Sequence, residues 1–467
     1  MNNESKSDSL KRDIGLLSAT VLVIANMVGS GIFTTSGFIM AELGSGRMLL
    51  LCWLVGGLFA LAGALCYGEL GAIMPRAGGE YAYLHHAFGP VPAFISGWIS
   101  LIVGFSAPIA AAAIAFATYL LGPAVSWGQL TIGGRTLVDI SSTSALACAA
   151  VVCFSLVHYH SVRLGARVQN LLTLFKIGFI LLFIIFGMLW GNGNISYLLQ
   201  ASSGTGGDAA GFAVALIFIS FAYSGWNAAA YLGGEIRNPG RNLPLSLVLG
   251  TLLVIALYLL LNLVYIYALP ASAMSGTLEV GTQAATALFG SGIGRVFGMA
   301  IALGLLSVLS AMIMAGPRVY YAMSRDGLFF RRFGVVNATR RTPSAAILLQ
   351  AVIAVLMILC AAYDTLLIYI GFTLSLTASL TVAGLFRLRR RYPELHRPYR
   401  TIGYPLTPLL FIAGNLWIVT YTLYSRPVVG FAGVITIVSG WVVYLLFRTA
   451  RGVPQPQADV PSPEMLK

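Results

Sequence analysis

The chain has 467 residues, of which 58% are hydrophobic and 9% charged, with a mean hydropathy of +0.85. A water-soluble protein of this size cannot hide that much apolar surface, so the composition indicates a polytopic helical membrane protein. The formal charge of +13 could suit a nucleic-acid binder, but the basic residues sit in short segments between apolar runs. Membrane topology explains them better, and no nucleic-acid partner is expected.

In chain order, the polar tail MNNESKSDSLKRD comes first, and no cleavable-signal pattern precedes the first apolar run, which is expected to stay in the mature protein. Hydrophobic windows predict twelve spans, at 16–41, 47–73, 91–121, 142–160, 165–190, 209–234, 243–269, 284–322, 344–362, 364–386, 405–425 and 428–449. With the N-terminus inside, 23 Lys and Arg fall in cytoplasmic segments and 4 in external ones, with Lys176 left over. That asymmetry predicts that both termini are cytoplasmic and that the protein lies in a cell membrane, here a bacterial inner membrane. Cys52, Cys66, Cys148, Cys153 and Cys360 lie in or beside apolar runs without metal-ligand spacing, so neither a cofactor nor a disulfide framework is expected.

Span 1, LLSATVLVIANMVGSGIFTTSGFIMA, is long enough to cross a bilayer, yet Gly29-Ser30-Gly31 stands at its centre. A break there exposes main-chain groups at membrane depth, which is tolerated only inside protein or beside a wet cavity. It would also turn the amides of the second half-helix, with the positive end of its dipole, toward a carboxylate. The alternative is a small-residue helix contact.

Span 2 ends at Pro75 and Gly78-Gly79, and an amphipathic piece over 80–88 is expected to lie across the cytoplasmic face. Glu69, one to two turns from the end of span 2, either belongs to an inner gate closing on Arg or backbone N–H groups, or reaches cytoplasmic water. The second is the simpler expectation. Span 5 holds Lys176, nine residues beyond Arg167 and so roughly 13 Å into the core. A lysine snorkels only part of that distance. An ammonium there could stand in for a bound Na⁺ by donating to carbonyls at the break of span 1, and to span 8 hydroxyls such as Ser307 and Ser310. It could also serve as a proton site.

Span 6 carries Tyr223-Ser224-Gly225 at mid-span, followed by Trp226 and Asn227. Interruptions five spans apart fit two five-span units inserted in opposite senses, with a midplane substrate site between them. In the loop that follows, Glu235 is expected to cap or to pair with Arg237 or Arg241. Arg318 and Arg325 read as interfacial, and Asp326-Gly327 as a turn. Spans 11 and 12 read as peripheral packing, with Asn415 their one polar group at depth, and the Pro-rich tail from Gly452 as disordered.

These residues resemble the signatures of the amino acid–polyamine–organocation transporters. The matching stretches are Gly29-Ser30-Gly31-Ile32-Phe33, Tyr67-x-Glu69-Leu70-Gly71 with Pro75-x-x-Gly78-Gly79-x-Tyr81, and Phe221 through Asn227 closing with Glu235 and Asn238-Pro239-x-Arg241-Asn242-x-Pro244. The resemblance spans about 10–450 and is closest to the L-type and cationic amino acid transporter branch. It implies an all-α, leucine-transporter-type fold of twelve transmembrane helices in a 5+5 inverted repeat. The units would be a tail (1–13), two repeats (14–190 and 209–387), two extra helices (405–449) and a second tail (452–467).

It further implies that the substrate α-carboxylate meets the amides of Ser30, Gly31 and Ile32. The α-ammonium would meet carbonyls near Ile24 and Ala25 and at Phe221, Ala222 and Ser224, with Phe221 as an outer gate. Tyr223, Trp226 and Asn227 would line the gate or pocket, and Lys176 would take the place of a second sodium site. Relatives often carry Gly where Ser224 stands, so smaller or more polar substrates are expected unless the hydroxyl bonds its own helix. Span 3 lacks an acidic residue, which weakens a carboxylate proton relay. The external segment 122–141 has no cysteine, so the heavy-chain disulfide of animal relatives is not expected.

The function expected is sodium-independent secondary transport of small α-amino acids by exchange or proton symport, with protons as possible co-substrate. Transport of amines, polyamines or amino acid derivatives stays open, as does a non-transporting sensor. An enzyme is disfavoured: His85, His86, His158, His160 and His396 map to cytoplasmic span ends, and no HExxH or GxSxG context occurs. No charged ring or filter repeat suggests a channel.

Overall fold

The computed structural model describes residues 12–122, 125–132, 135–199, 209–336, 342–360, 363–425 and 427–451. The tail from Gly452 and most of the N-terminal tail lie outside the described residues. Among those described, nine helices are long and apolar enough to cross a membrane, and one bent pair makes up to ten.

The bent pair is α1 (Leu16–Met27) and α2 (Ser30–Leu43), which meet at 41°. Val28 leaves the helix at ψ 82° and Gly29 is extended, so the α1 ladder ends there and α2 starts with no side-chain cap. Next come α3 (Gly46–Ile73), the short α4 (Glu80–Phe88) and α5 (Pro90–Leu121), which has a π-helical stretch at Ser100–Ser106. The segment after α5, read above as plain external loop, instead forms an antiparallel hairpin of β1 (Ser126–Ile132) and β2 (Arg135–Ser141). The fold is therefore mostly helical rather than wholly so. Too short for a helix pair, the segment satisfies its backbone by pairing with itself.

The chain continues through α6 (Ser142–His160), α7 (Val162–Trp190), α8 (Ala209–Ala222), the single turn α9 (Ala228–Tyr231) and α10 (Pro239–Ala268). The window 284–322 is not one span: α11 (Val280–Phe289) ends at Gly290, and α12 (Ser291–Arg325) crosses separately. α13 (Ser344–Cys360), α14 (Tyr363–Arg391), α15 (Leu406–Ser425) and α16 (Pro427–Arg451) complete the chain. Pro90, Pro239 and Pro427 open their helices, where a missing N–H costs nothing.

Burial separates centre from rim. The apolar windows of α5, α12 and α14 are 83, 78 and 72% buried, against 33% for α7 and 28% for α16. The rim shows Leu171, Leu174, Leu189 and Trp190 to the surroundings, a surface suited to lipid and not to water. At the centre α1 packs on α10, α2 on α8, and α12 on α5 and α7.

The two interruptions touch. A Cβ on Gly31 would lie 2.5 Å from Ala222 Cα, so span 1 has both the break and the small-residue contact. Gly225, at φ +94°, has its α-hydrogens against the backbone of Asn26, where a Cβ would come within 2.9 Å. Gly225→Ala is therefore expected to lower the melting temperature in detergent more than Gly290→Ala. Gly290 has a similar φ of +93° but, among the described residues, nothing within 4 Å, so it isolates the backbone strain of about 1–3 kcal/mol. Equal losses at the two positions would mean that the interruptions do not press on each other.

Candidate functional site

Breaking α1 strands carbonyls at its negative end. Lys176, 1% exposed, reaches them from α7: its Nζ donates to Ala25 O at 3.1 Å and to Val28 O. The stem of the lysine lies along Gly304 of α12, where an added Cβ would meet Cγ at 3.3 Å. Tyr258 of α10 bridges the two interruptions. Its hydroxyl lies 2.6 Å from Met27 O and 3.1 Å from Ala222 O, the last carbonyls of α1 and α8. Trp53 and Tyr223 pack on the Tyr258 ring, and Tyr223 Oη donates to Trp53 O at 3.0 Å.

Beyond Ala222 the chain makes turns over 223–227 before α9. A cavity opens beside these turns, with about 90 Å³ available to the centre of a water-sized sphere, well above the ~10–15 Å³ one water needs. Asn26, Glu80, Tyr223, Ser224, Trp226 and Asn227 border it. Glu80 is 3% exposed, and its Oε1 accepts from Tyr67 Oη at 2.7 Å and Asn227 Nδ2 at 2.9 Å. Burial raises its carboxyl to about 7, against the pull of donors on Tyr67, Asn227 and Thr377. α15 contributes Phe411, Asn415 and Ile418 to the wall, so it is not merely peripheral packing. Its Asn415 donates to Phe411 O and keeps the polar group paired.

Ion pairs tie the ends of α3, α12 and α14 to neighbouring segments. Glu69 does not reach water: it is fully buried, and Arg389 of α14 grips it at 2.9 and 2.6 Å. Thr401 N donates to it at 2.7 Å, and Arg397 Nε lies 3.4 Å away. Four residues from the end of α3, its carboxylate turns inward onto α14 rather than outward. Glu235 pairs with Arg318 at 3.5 Å and not with Arg237 or Arg241. Arg318 is accordingly 9% exposed rather than interfacial, because it packs between α12 and the loop after α9. Asp326 accepts from Tyr81 Oη at 2.9 Å and pairs with Arg76, and Gly327 takes the left-handed turn at φ +76°.

This arrangement has relatives of known kind. The amino acid permease family profile matches residues 14–461. The chain belongs to the amino acid permease family. The permease is 30% identical over 453 residues to the b(0,+)-type amino acid transporter 1 of Mus musculus, covering 96% of this chain and 90% of the relative. It is 32% identical over 422 residues to the serine/threonine exchanger SteT of Bacillus subtilis (strain 168), covering 90% and 93%. With the large neutral amino acids transporter small subunit 2 of Homo sapiens, identity is 29% over 443 residues, covering 94% and 81%.

The residues singled out in the permease sequence divide into groups. Ser224, Tyr223, Trp226 and Asn227 border the cavity. Ser30, Gly31, Ile32, Phe221 and Ala222 are buried where α2 meets α8 and stand outside its wall. Four of the five carbonyls named for an ammonium already have partners: Ile24 O accepts from Val28 N, Ala25 O from Lys176, Phe221 O from Ser224 N, and Ala222 O lies beside Tyr258. Each keeps a second lone pair.

Ser307 and Ser310 do not bind Lys176. The Ser307 hydroxyl donates to Gly304 O on its own helix, and Ser310 Oγ lies 2.9 Å from Nε2 of His158, which is buried. Tyr258 and Glu80 were missed. Tyr258 reads as one aromatic in an apolar run, and Glu80 reads as the polar start of a surface helix. The one available signal was Glu80's place directly after Gly78-Gly79, which turns the chain inward at φ +111° and +53°. Glu69→Gln is expected to cost the permease about 3–5 kcal/mol, the penalty for stranding one partner of a buried pair. Thermal unfolding would check this, and a loss below about 1 kcal/mol, the value of an exposed pair, would contradict it.

Proposed function

We propose that this permease moves small α-amino acids across the membrane by alternating access, without sodium, by exchange or proton symport. The observation that carries the proposal is the contact of two interrupted helices, with Lys176 on the carbonyl end of α1 and the amide end of α2 turned the opposite way. In this reading α8 and α9 form one broken span and α13 another crossing, which with the bent pair gives twelve. Residues 14–190 and 209–387 form two inverted five-span repeats, 405–449 adds two helices, and both termini face the cytoplasm. The basic-residue asymmetry supports that orientation.

The substrate carboxylate is proposed to sit on the amides of Ser30, Gly31 and Ile32, and its ammonium on the second lone pairs at Ile24, Ala25, Phe221, Ala222 and Ser224. Phe221 closes from outside, while Tyr223, Trp226 and Asn227 line the pocket. Because Gly31 lies against Ala222, α2 and α8 must part to admit the carboxylate. The lysine fills the place a cation would take, which is what makes sodium unnecessary. Ser224, at the cavity wall, favours small or polar side chains, in keeping with the serine/threonine exchanger among the relatives. The Glu69–Arg389 and Glu235–Arg318 pairs act as the inner gate.

Two outcomes are expected. In a thermal-shift screen of the twenty amino acids, a small neutral one stabilises the permease by about 2.7 kcal/mol at a hundredfold excess over Kd, and the matching decarboxylated amines do not. Stabilisation by the amines alone would remove the carboxylate site. Lys176→Ala, which strands two buried carbonyls, is expected to lower counterflow of labelled substrate in liposomes by roughly ten- to a hundredfold, following the 1–3 kcal/mol cost of such groups. Undiminished counterflow would end the cation-substitute reading.

A further inference from the structure

The acidic residues at the closed end of the molecule differ in one respect. Glu69 holds Arg389, Glu235 holds Arg318 and Asp326 holds Arg76. Glu80 is as deeply enclosed, yet among the described residues no basic side chain pairs with it. Its partners are neutral: Tyr67 Oη from α3 and Asn227 Nδ2 from the interruption after α8. The titratable groups that face it are also neutral phenols, Tyr67 of α3, Tyr83 of its own helix and Tyr231 of α9, with Tyr320 of α12 behind Tyr231. Among the described residues, the hydroxyls of Tyr83 and Tyr320 have no hydrogen-bond partner. α14 presents Thr377.

A carboxylate enclosed without a counter-ion is costly to keep charged, and the inexpensive solution is to carry a proton. Glu80 also borders the cavity, and one of its bonds ends on Asn227, in the segment that separates α8 from α9. Whatever moves that segment changes the hydration of the carboxyl group.

We propose that Glu80 is the proton-binding site that couples transport to the proton gradient. This rests on the transport reading above and decides between its two modes in favour of symport. The proton reaches a Glu80 carboxyl oxygen from external water through the cavity. It stays while the closed end holds Asn227 against Glu80, and it leaves to cytoplasmic water when Asn227 withdraws. No covalent bond other than O–H is made or broken, and one proton accompanies one substrate. Lys176, held by two carbonyls of α1, keeps a structural part. The position of the carboxyl near 7 agrees with a site that loads and unloads at ordinary pH.

The test uses the full chain in liposomes containing the pH dye pyranine, with each of the twenty labelled L-amino acids as probe. For the wild type we expect a transported amino acid to carry protons inward. A gradient of one pH unit should support about tenfold accumulation, and uptake should fall as external pH rises through about 7. Glu80→Gln is expected to bring accumulation down to its level without a gradient and to silence the dye, in vesicles whose counterflow is still measurable. Tyr67→Phe, which removes a donor to the charged form, is expected to move the pH midpoint of uptake upward by about one unit.

Wild-type counterflow without dye response would overturn the proposal and leave transport standing. Proton-driven accumulation by Glu80→Gln, or an unmoved midpoint in Tyr67→Phe, would overturn it too. Counterflow of none of the twenty would defeat the transport reading and the proposal with it.

Discussion

Main-chain carbonyls inside a membrane must be bonded, and lipid offers nothing to bond them. The end of α1 at Met27 and Val28 exposes such carbonyls at the centre of the molecule, and the surrounding structure answers them. Lys176 comes in from α7 to Ala25 O and Val28 O, and Tyr258 from α10 to Met27 O and Ala222 O. Two helices outside the interrupted pair therefore pin its geometry. The glycines serve the same end: Gly31 and Gly225 let the two broken strands of chain lie backbone to backbone. A break stabilised in this way is a built feature of the permease rather than a weak point in a helix.

A second constraint acts at the end carrying most of the charge. Buried or half-buried carboxylates each recruit a partner from another stretch of sequence: Glu69 from α14, Glu235 from α12, and Glu80 from α3 and the interruption after α8. Each bond joins elements that must separate if the cavity is to open toward that side. Stranding such a group is expensive, so these contacts tie their elements firmly together. Glu80 departs from the pattern because neutral donors stand where the others have a cation.

Much of the site was legible in the sequence because it was local. Gly29-Ser30-Gly31 and Tyr223-Ser224-Gly225 announce interruptions in otherwise apolar runs, and the depth of Lys176 follows from counting residues beyond Arg167. Its carbonyl partners were also foreseen, since a mid-membrane ammonium must find acceptors and a broken helix supplies them. What failed were assignments that depend on which neighbour a side chain meets. Glu69 stands near a helix end, which suggests water, but its helix face turns it to α14. Ser310 shares a helix with the groups along Lys176, yet its hydroxyl faces His158 on α6. Asn415 and Phe411 look like packing residues until α15 is seen beside the cavity.

Period, length and charge are properties of a stretch of chain, and by themselves they determined the membrane class, the two interruptions and the buried lysine. The hairpin after α5, the split at Gly290, the bridging hydroxyl of Tyr258 and the partners of Glu69, Glu235 and Glu80 were decided only in three dimensions. The reason is geometric. Hydropathy records that a residue is buried but not against what, and a polar group inside a membrane takes its meaning from the one partner it faces. Of the partners of Glu80, Asn227 lies 147 residues away, a distance that only the folded chain closes.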